Sequence, residues 1–163
     1  MTEKDFERIY REYFDPVYRY ALALTRSEHR AEELTQETFF KAMQAIDGFR
    51  DDCSVRTWLC AIAKNAFLSE QRRRPQEPLD ALPERADESA GPEERALRRE
   101  ESLRAHRALH ELPEPYREVF TLRVFGLLSF KEIAGLFGKT ENWACVVYHR
   151  ARAKLNAKLE GSS

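Results

Sequence analysis

Residues 128–155 read LSFKEIAGLFGKTENWACVVYHRARAKL, and the spacing within this stretch decides the fold. Ser129 followed three residues later by Glu132 forms a capping box, in which each residue satisfies an orphan donor of the other at a helix start. Gly138 supplies the left-handed position that ends the helix. Thr140 can cap the next helix, where Ala144, Tyr148, Ala151 and Leu155 recur about one turn apart as an inward stripe. A short helix, a glycine-containing turn and a longer basic helix is the helix-turn-helix pattern. An ordinary helical hairpin shares that pattern, so the outward residues matter. With Ala144 inward, Asn142, Val146 and His149 face out, flanked by Cys145 and Arg150. Asn142 can bond a base edge and Val146 can pack on a thymine methyl. Lys139, Arg152, Lys154 and Lys158 suit phosphates.

Helical spacing continues toward the N-terminus. Tyr116, Val119, Phe120, Leu122 and Phe125 mark one helix. Pro113 and Pro115 separate it from another that begins near Glu93 and turns Leu97, Leu103, Ala105 and Leu109 toward a core. Between Pro75 and Pro92 the pattern stops. This segment holds four of the seven prolines, many acids and few large apolar residues, a composition that reads as an extended, flexible linker. Before it, three more helices are expected. The first spans roughly Glu3 to Leu24 and buries Phe6, Ile9, Tyr10, Tyr13, Phe14, Val17 and Leu24, with Pro16 able to kink or split it. The second runs from about Ser27 to Ile46 over Ala31, Leu34, Phe39 and Met43. The third is capped by Ser54, with Trp58, Ile62 and Ala66 on one line and Leu59, Ala63 and Phe67 beside it. The expected fold is all-α: two small helical domains, residues 1–74 and 93–163, joined by an acidic linker over 75–92.

Charge follows the same division. Residues 1–74 carry 13 basic and 13 acidic groups, 75–100 carry 4 and 8, and 129–163 carry 6 and 3, so a net charge of −1 conceals a basic end. That is the footprint of a protein that meets a polyanion at one end, or of a solvated terminal helix. The N-terminus has no signal-peptide character, and no apolar run approaches membrane-spanning length. Cys53, Cys60 and Cys145 are odd in number and scattered, which suits free thiols in the cytoplasm. His106 and His110 stand at i, i+4 but lack a third metal ligand. No nucleophile–base set or phosphate-cradling glycine loop is present, so neither catalysis nor a cofactor is expected.

Two further stretches stand out. Trp58 to Arg74 joins aromatic residues to a run of arginines, as single-stranded nucleic acid would require, although Trp58 and Phe67 equally suit a core. Glu32 to Glu37 is an acidic run on a half-apolar helix, open to reading as a solvent face or as a partner surface.

Taken in order, AEELTQETFFKAM (31–43), FRDDCSVRTWLCAIAKNAFLSEQRRR (49–74) and LPEPYREVFTLRVFGLLSFKEIAGLFGKTENWACVVYHRARAKL (112–155) resemble the extracytoplasmic-function (group 4) sigma factors of the sigma-70 family. The resemblance implies a sigma region 2-like bundle and a sigma region 4-like helix-turn-helix domain in a protein that directs core RNA polymerase to promoter DNA. It implies that Glu33, Leu34, Thr35, Gln36 and Glu37 grip the polymerase. Melting and holding of the −10 element would fall to Phe49, Arg50, Asp51, Asp52, Cys53, Ser54, Arg56, Trp58, Lys64, Asn65, Arg72 and Arg73. Reading of the −35 element would fall to Lys139, Thr140, Asn142, Cys145, Val146, His149, Arg150, Arg152 and Lys154. An anti-sigma factor is a further implied partner, and membrane insertion is not implied. The chain departs from the family at Ser69, where Asp is frequent. It departs again over Asn142–Val147, where a Gly-Thr-Val-Lys-Ser-Arg stretch with two more basic residues is common. A stand-alone helix-turn-helix regulator is the alternative, but the first 74 residues are short and charged for a ligand-sensing domain.

Overall fold

The computed structural model describes residues 3–49, 54–73 and 91–161, and all regular structure among them is helical. Three helices form the first domain: α1 (Glu3–Thr25), α2 (Glu28–Ala45) and α3 (Val55–Gln71). Pro16 lies inside α1, which nevertheless continues as one helix. It ends where Arg26 enters the left-handed region at φ 58°. Ser27 then caps α2 by accepting from Arg30 N, and Ser54 caps α3 by accepting from Thr57 N.

The bundle core has two adjoining parts. Ile9, Val17, Phe39, Ala42 and Leu59 form one; Ala21, Leu22, Ala31, Leu34, Ala66 and Phe67 form the other. Arg30 is also buried and reaches Glu70 at 3.6 Å, since a buried guanidinium needs a counter-charge. Two expected core residues are overturned: Tyr10 is 41% and Met43 49% exposed. The buried line of α2 runs through Ala31, Leu34, Thr35, Thr38, Phe39 and Ala42, and Met43 falls off its phase.

The second domain holds α4 (Pro92–His110), α5 (Tyr116–Val124), α6 (Phe130–Phe137) and α7 (Glu141–Gly161). Of the expected linker only Gly91 and Pro92 are described, and Pro92 already sits in the first turn of α4. The N-terminal half of α4 is exposed among the described residues, and Leu97, expected in the core, is 61% exposed. Its C-terminal half packs Ala108 and Leu109, with Leu112 after it, on Ala151 and Leu155 of α7. Gly126 follows α5 so closely that an added Cβ would lie 2.7 Å from Leu122 O.

The two domains are docked on each other. Tyr20 of α1 and Cys60 and Ala63 of α3 share one buried cluster with Val119 and Leu122 of α5, Leu128, Ile133 of α6, and Ala144 and Val147 of α7.

Candidate nucleic-acid interface

The helix-turn-helix is built as its sequence dictates. Ser129 and Glu132 form the full capping box, and Gly138 ends α6 at φ 64°, ψ 34° with its N–H on Ala134 O. Thr140 Oγ1 accepts from Trp143 N at the start of α7. Ala144, Val147, Ala151 and Leu155 are the buried line of α7, while Phe137 and Trp143 pack with ring centroids 5.3 Å apart to fix the turn. Val147 thus carries burial that the sequence assigned to Tyr148, which is half-buried between Phe120 and Phe130. Asn142, Val146 and His149 are exposed along one side, at i, i+4 and i+7. Arg150, Arg152, Lys139 and Thr140 are exposed around them, and Cys145 is half-buried. The Lys154 ammonium lies 5.1 Å from the Tyr116 ring centroid, a resting place from which its exposed head can swing.

Residues expected to meet the −10 element divide into three groups. Arg50, Asp51, Asp52 and Cys53 lie outside the described residues. Phe49 packs on Trp58 at 4.7 Å between centroids, both half-buried, while Arg56 is half-buried and Asn65, Arg72 and Arg73 are exposed. The third group, Ser54 and Lys64, is engaged by the second domain. Ser54 Oγ donates to Glu132 Oε2 at 2.6 Å, and the buried Thr57 hydroxyl donates to the same oxygen. Lys64 Nζ sits 2.8 Å from Glu118 Oε1 and 4.2 Å from the Phe137 ring centroid. Burial alone would raise the Glu132 pKa, but hydrogen bonds from Ser54, Thr57 and Ser129 outweigh it and bring the value down to about 2. Thr57, Glu118 and Glu132 were not among the expected site residues. Only the capping role of Glu132 was visible, because the partners of these groups lie far away in sequence.

On α2 the expected polymerase-binding set is split. Leu34 is 1% and Thr35 0% exposed, so in this structure these two brace the helix from within the bundle. Glu33, Gln36 and Glu37 are exposed, with Glu33 3.0 Å from His29 and Glu37 3.1 Å from Lys41. Phe40 at 57% and Met43 at 49% exposure continue the Gln36 side at i+4 and i+7, and the sequence reading had missed them. Their signal was present, because both are apolar residues out of phase with the buried line.

Burial pushes the Cys60 thiol up to about 12, so Cys60 is an inert core group. Among the described residues no cluster of three or more His, Cys, Asp or Glu could hold a metal ion. No described helix is long and apolar enough to cross a membrane.

Comparison with known proteins matches both halves. The family described as "Sigma-70 region 2" matches residues 9–76, and "Sigma-70, region 4" matches residues 102–155. The ECF RNA polymerase sigma factor SigM of Bacillus subtilis is 33% identical over 158 residues, covering 93% of this chain and 93% of that protein. The RNA polymerase sigma factor YlaC of the same organism is 29% identical over 167 residues, covering 99% of this chain and 96% of the relative. Among solved structures, CnrH in complex with the cytosolic domain of CnrY has a TM-score of 0.76 at 24% identity, covering 99% of this chain and 92% of that one. RpoE in complex with the anti-sigma factor NepR, from Bartonella quintana, also has a TM-score of 0.76, at 22% identity, covering 96% and 98%. These two likenesses concern the fold. A match to region 2 as well as region 4 removes the ground for a stand-alone helix-turn-helix regulator.

Proposed function

This chain belongs to the extracytoplasmic-function sigma factors of the sigma-70 family, and from that premise we propose how its two domains divide the work of transcription initiation. It binds core RNA polymerase and directs it to promoter DNA as a non-catalytic subunit in the cytoplasm. The exposed side of α2, with Glu33, Gln36, Glu37, Phe40 and Met43, meets the polymerase. Polar and apolar groups side by side on a helix suit a protein interface better than a solvent face. Helix α3 and the segments that flank it hold the melted −10 strand, with Trp58 and Phe49 offering stacking surface and Arg56, Lys64, Arg72 and Arg73 offering cations. The −35 element is read by Asn142, Val146 and His149 from the major groove, while Lys139, Arg150, Arg152 and Lys154 hold phosphates. A protein that restrains the factor, of the kind bound to the solved relative RpoE, is a further partner.

One observation carries this reading: a helix-turn-helix whose outward stripe of Asn142, Val146 and His149 is exposed and ringed by basic groups, in a chain that also carries region 2. Run-off transcription with purified core polymerase on a randomised promoter library tests it. Enrichment of two conserved blocks, roughly 25 base pairs apart along about 85 Å of duplex, is the expected result. No transcription above that of core polymerase alone would overturn it.

A further inference from the structure

A cleft of about 130 Å³ lies where the two domains meet, apart from the α2 surface and from the recognition helix. Its apolar lining comes from both sides: Leu24, Phe67 and Leu68 from the first domain, Leu109 from the second. A space of this size suits one aromatic ring or a short branched chain, since a dry cavity of about 150 Å³ takes benzene. The polar lining is biased in sign. Arg26, Lys64 and Arg117 stand against only Glu114 and Glu118. Lys64 and Glu118 satisfy each other at 2.8 Å, and Arg117 and Glu114 do so at 2.7 Å. Taken together, the charged groups of the cleft carry a net positive charge.

Two imidazoles, those of His106 and His110, also line the cleft. Burial foremost, and then the Arg26 guanidinium, brings both pKa values down to about 4, with Arg117 adding to the effect at His110. Both rings are therefore neutral near pH 7, and each keeps one N–H to donate. The His106 ring packs on Phe125 and makes no hydrogen bond among the described residues. A guanidinium and a buried N–H donor beside apolar walls complement a carboxylate carried on a small apolar body. We propose that the cleft is a binding site for a small apolar carboxylate, an aromatic or branched-chain acid about one ring in size. Its carboxylate faces Arg26 and His106, and its body lies among Leu24, Phe67, Leu68 and Leu109. Because the walls come from α1 and α3 on one side and from α4 and α5 on the other, such a ligand ties the four helices together by mass action.

The test titrates the full chain with sodium benzoate, benzyl alcohol and benzylamine near neutral pH, followed by two-dimensional amide NMR. Benzoate should bind about tenfold tighter than benzyl alcohol, the margin of a charge-assisted hydrogen bond in a desolvated site. Benzylamine should bind least. The amide signals of Leu24, Phe67, Leu109 and Thr121 should move most. Arg26→Asn removes the guanidinium but keeps a residue that accepts a φ of 58°, and it should bring benzoate down to the affinity of the alcohol. Gln71 lines the same cleft, so Gln71→Glu should weaken benzoate and Gln71→Lys strengthen it, each about threefold. Neither change should alter the affinity for benzyl alcohol. This opposed pair keeps the site open to refutation even if Arg26→Asn fails to fold. Equal affinity for benzoate and benzyl alcohol, indifference to both Gln71 substitutions, or signal changes centred away from the cleft would overturn the proposal. So would the lack of saturable benzoate binding up to about 10 mM. None of these outcomes depends on core polymerase or promoter DNA, so the site stands or falls separately from the function proposed above.

Discussion

The His106 imidazole lies 5.2 Å from the Phe125 ring, centroid to centroid, in the packed half of α4. Burial, aided by the Arg26 guanidinium, pushes its pKa down to about 4, and burial with Arg26 and Arg117 does the same to His110. Unfolded, each imidazole takes a proton near pH 6.5; folded, neither does so until about 4. Stability is therefore full above pH 6.5 and falls as the pH drops through that window. The loss from His106 should reach about 2 kcal/mol by pH 5, with a smaller share from the less enclosed His110. Urea unfolding at pH 7.5 and pH 5.0 measures the difference, and His106→Gln should remove most of it. An equal drop in the variant would show that other groups titrate there.

On α2 the exposed and buried residues should part company. Gln36→Ala with Glu37→Ala should weaken core-polymerase binding and leave the melting curve in place. Phe40→Ala should cost more than about 1 kcal/mol of that affinity if Phe40 anchors the interface. Leu34→Ala should instead cost about 2–5 kcal/mol of stability through the cavity it leaves. Titration of labelled protein with core polymerase, run beside urea melts, separates the two. A Leu34→Ala protein that is fully stable yet fails to bind would contradict the assignment.

The recognition helix allows a sharper contrast. Arg152→Ala should weaken binding about equally on all −35 sequences and reduce the salt slope by about 1. Asn142→Ala should relax preference at a single base position, at about 1–3 kcal/mol for a bidentate contact. Cys145→Lys should raise affinity generally without a new base preference. The measurements are promoter-library transcription and titration at two salt concentrations. If Arg152→Ala altered base preference and Asn142→Ala did not, the orientation of α7 in the groove would be wrong.

The turn that aims α7 has its own energetics. Ser129→Ala removes the hydroxyl that caps Glu132 N and should cost about 1 kcal/mol. Gly138→Ala meets no steric neighbour, but it places a Cβ at φ 64° and should cost about 1–2 kcal/mol. Denaturant melts of the two variants should therefore both fall below wild type. Tolerance of alanine at 138 would mean that the turn relaxes out of its left-handed conformation.

Local rules were legible in the sequence because they act over one helical turn. The capping box at Ser129 and Glu132, the caps at Ser54 and Thr140, the stop at Gly138 and the outward stripe of Asn142, Val146 and His149 all follow from spacing alone. So did the all-α class and, from the order of three motifs, the family. Errors arose where a helix face was assigned without its neighbours: Met43 and Leu97 are apolar and at helical spacing but lie exposed at the surface of the described residues, and Leu34, expected at a partner surface, is buried in the bundle. The meeting of the two domains could not be read at all. Glu118 and Glu132 find Lys64, Ser54 and Thr57 across separations of more than fifty residues. One-dimensional periodicity says which side of a helix is apolar. Only the tertiary structure decides what covers that side, and which polar groups meet across it, because both depend on how separate helices are brought together in space.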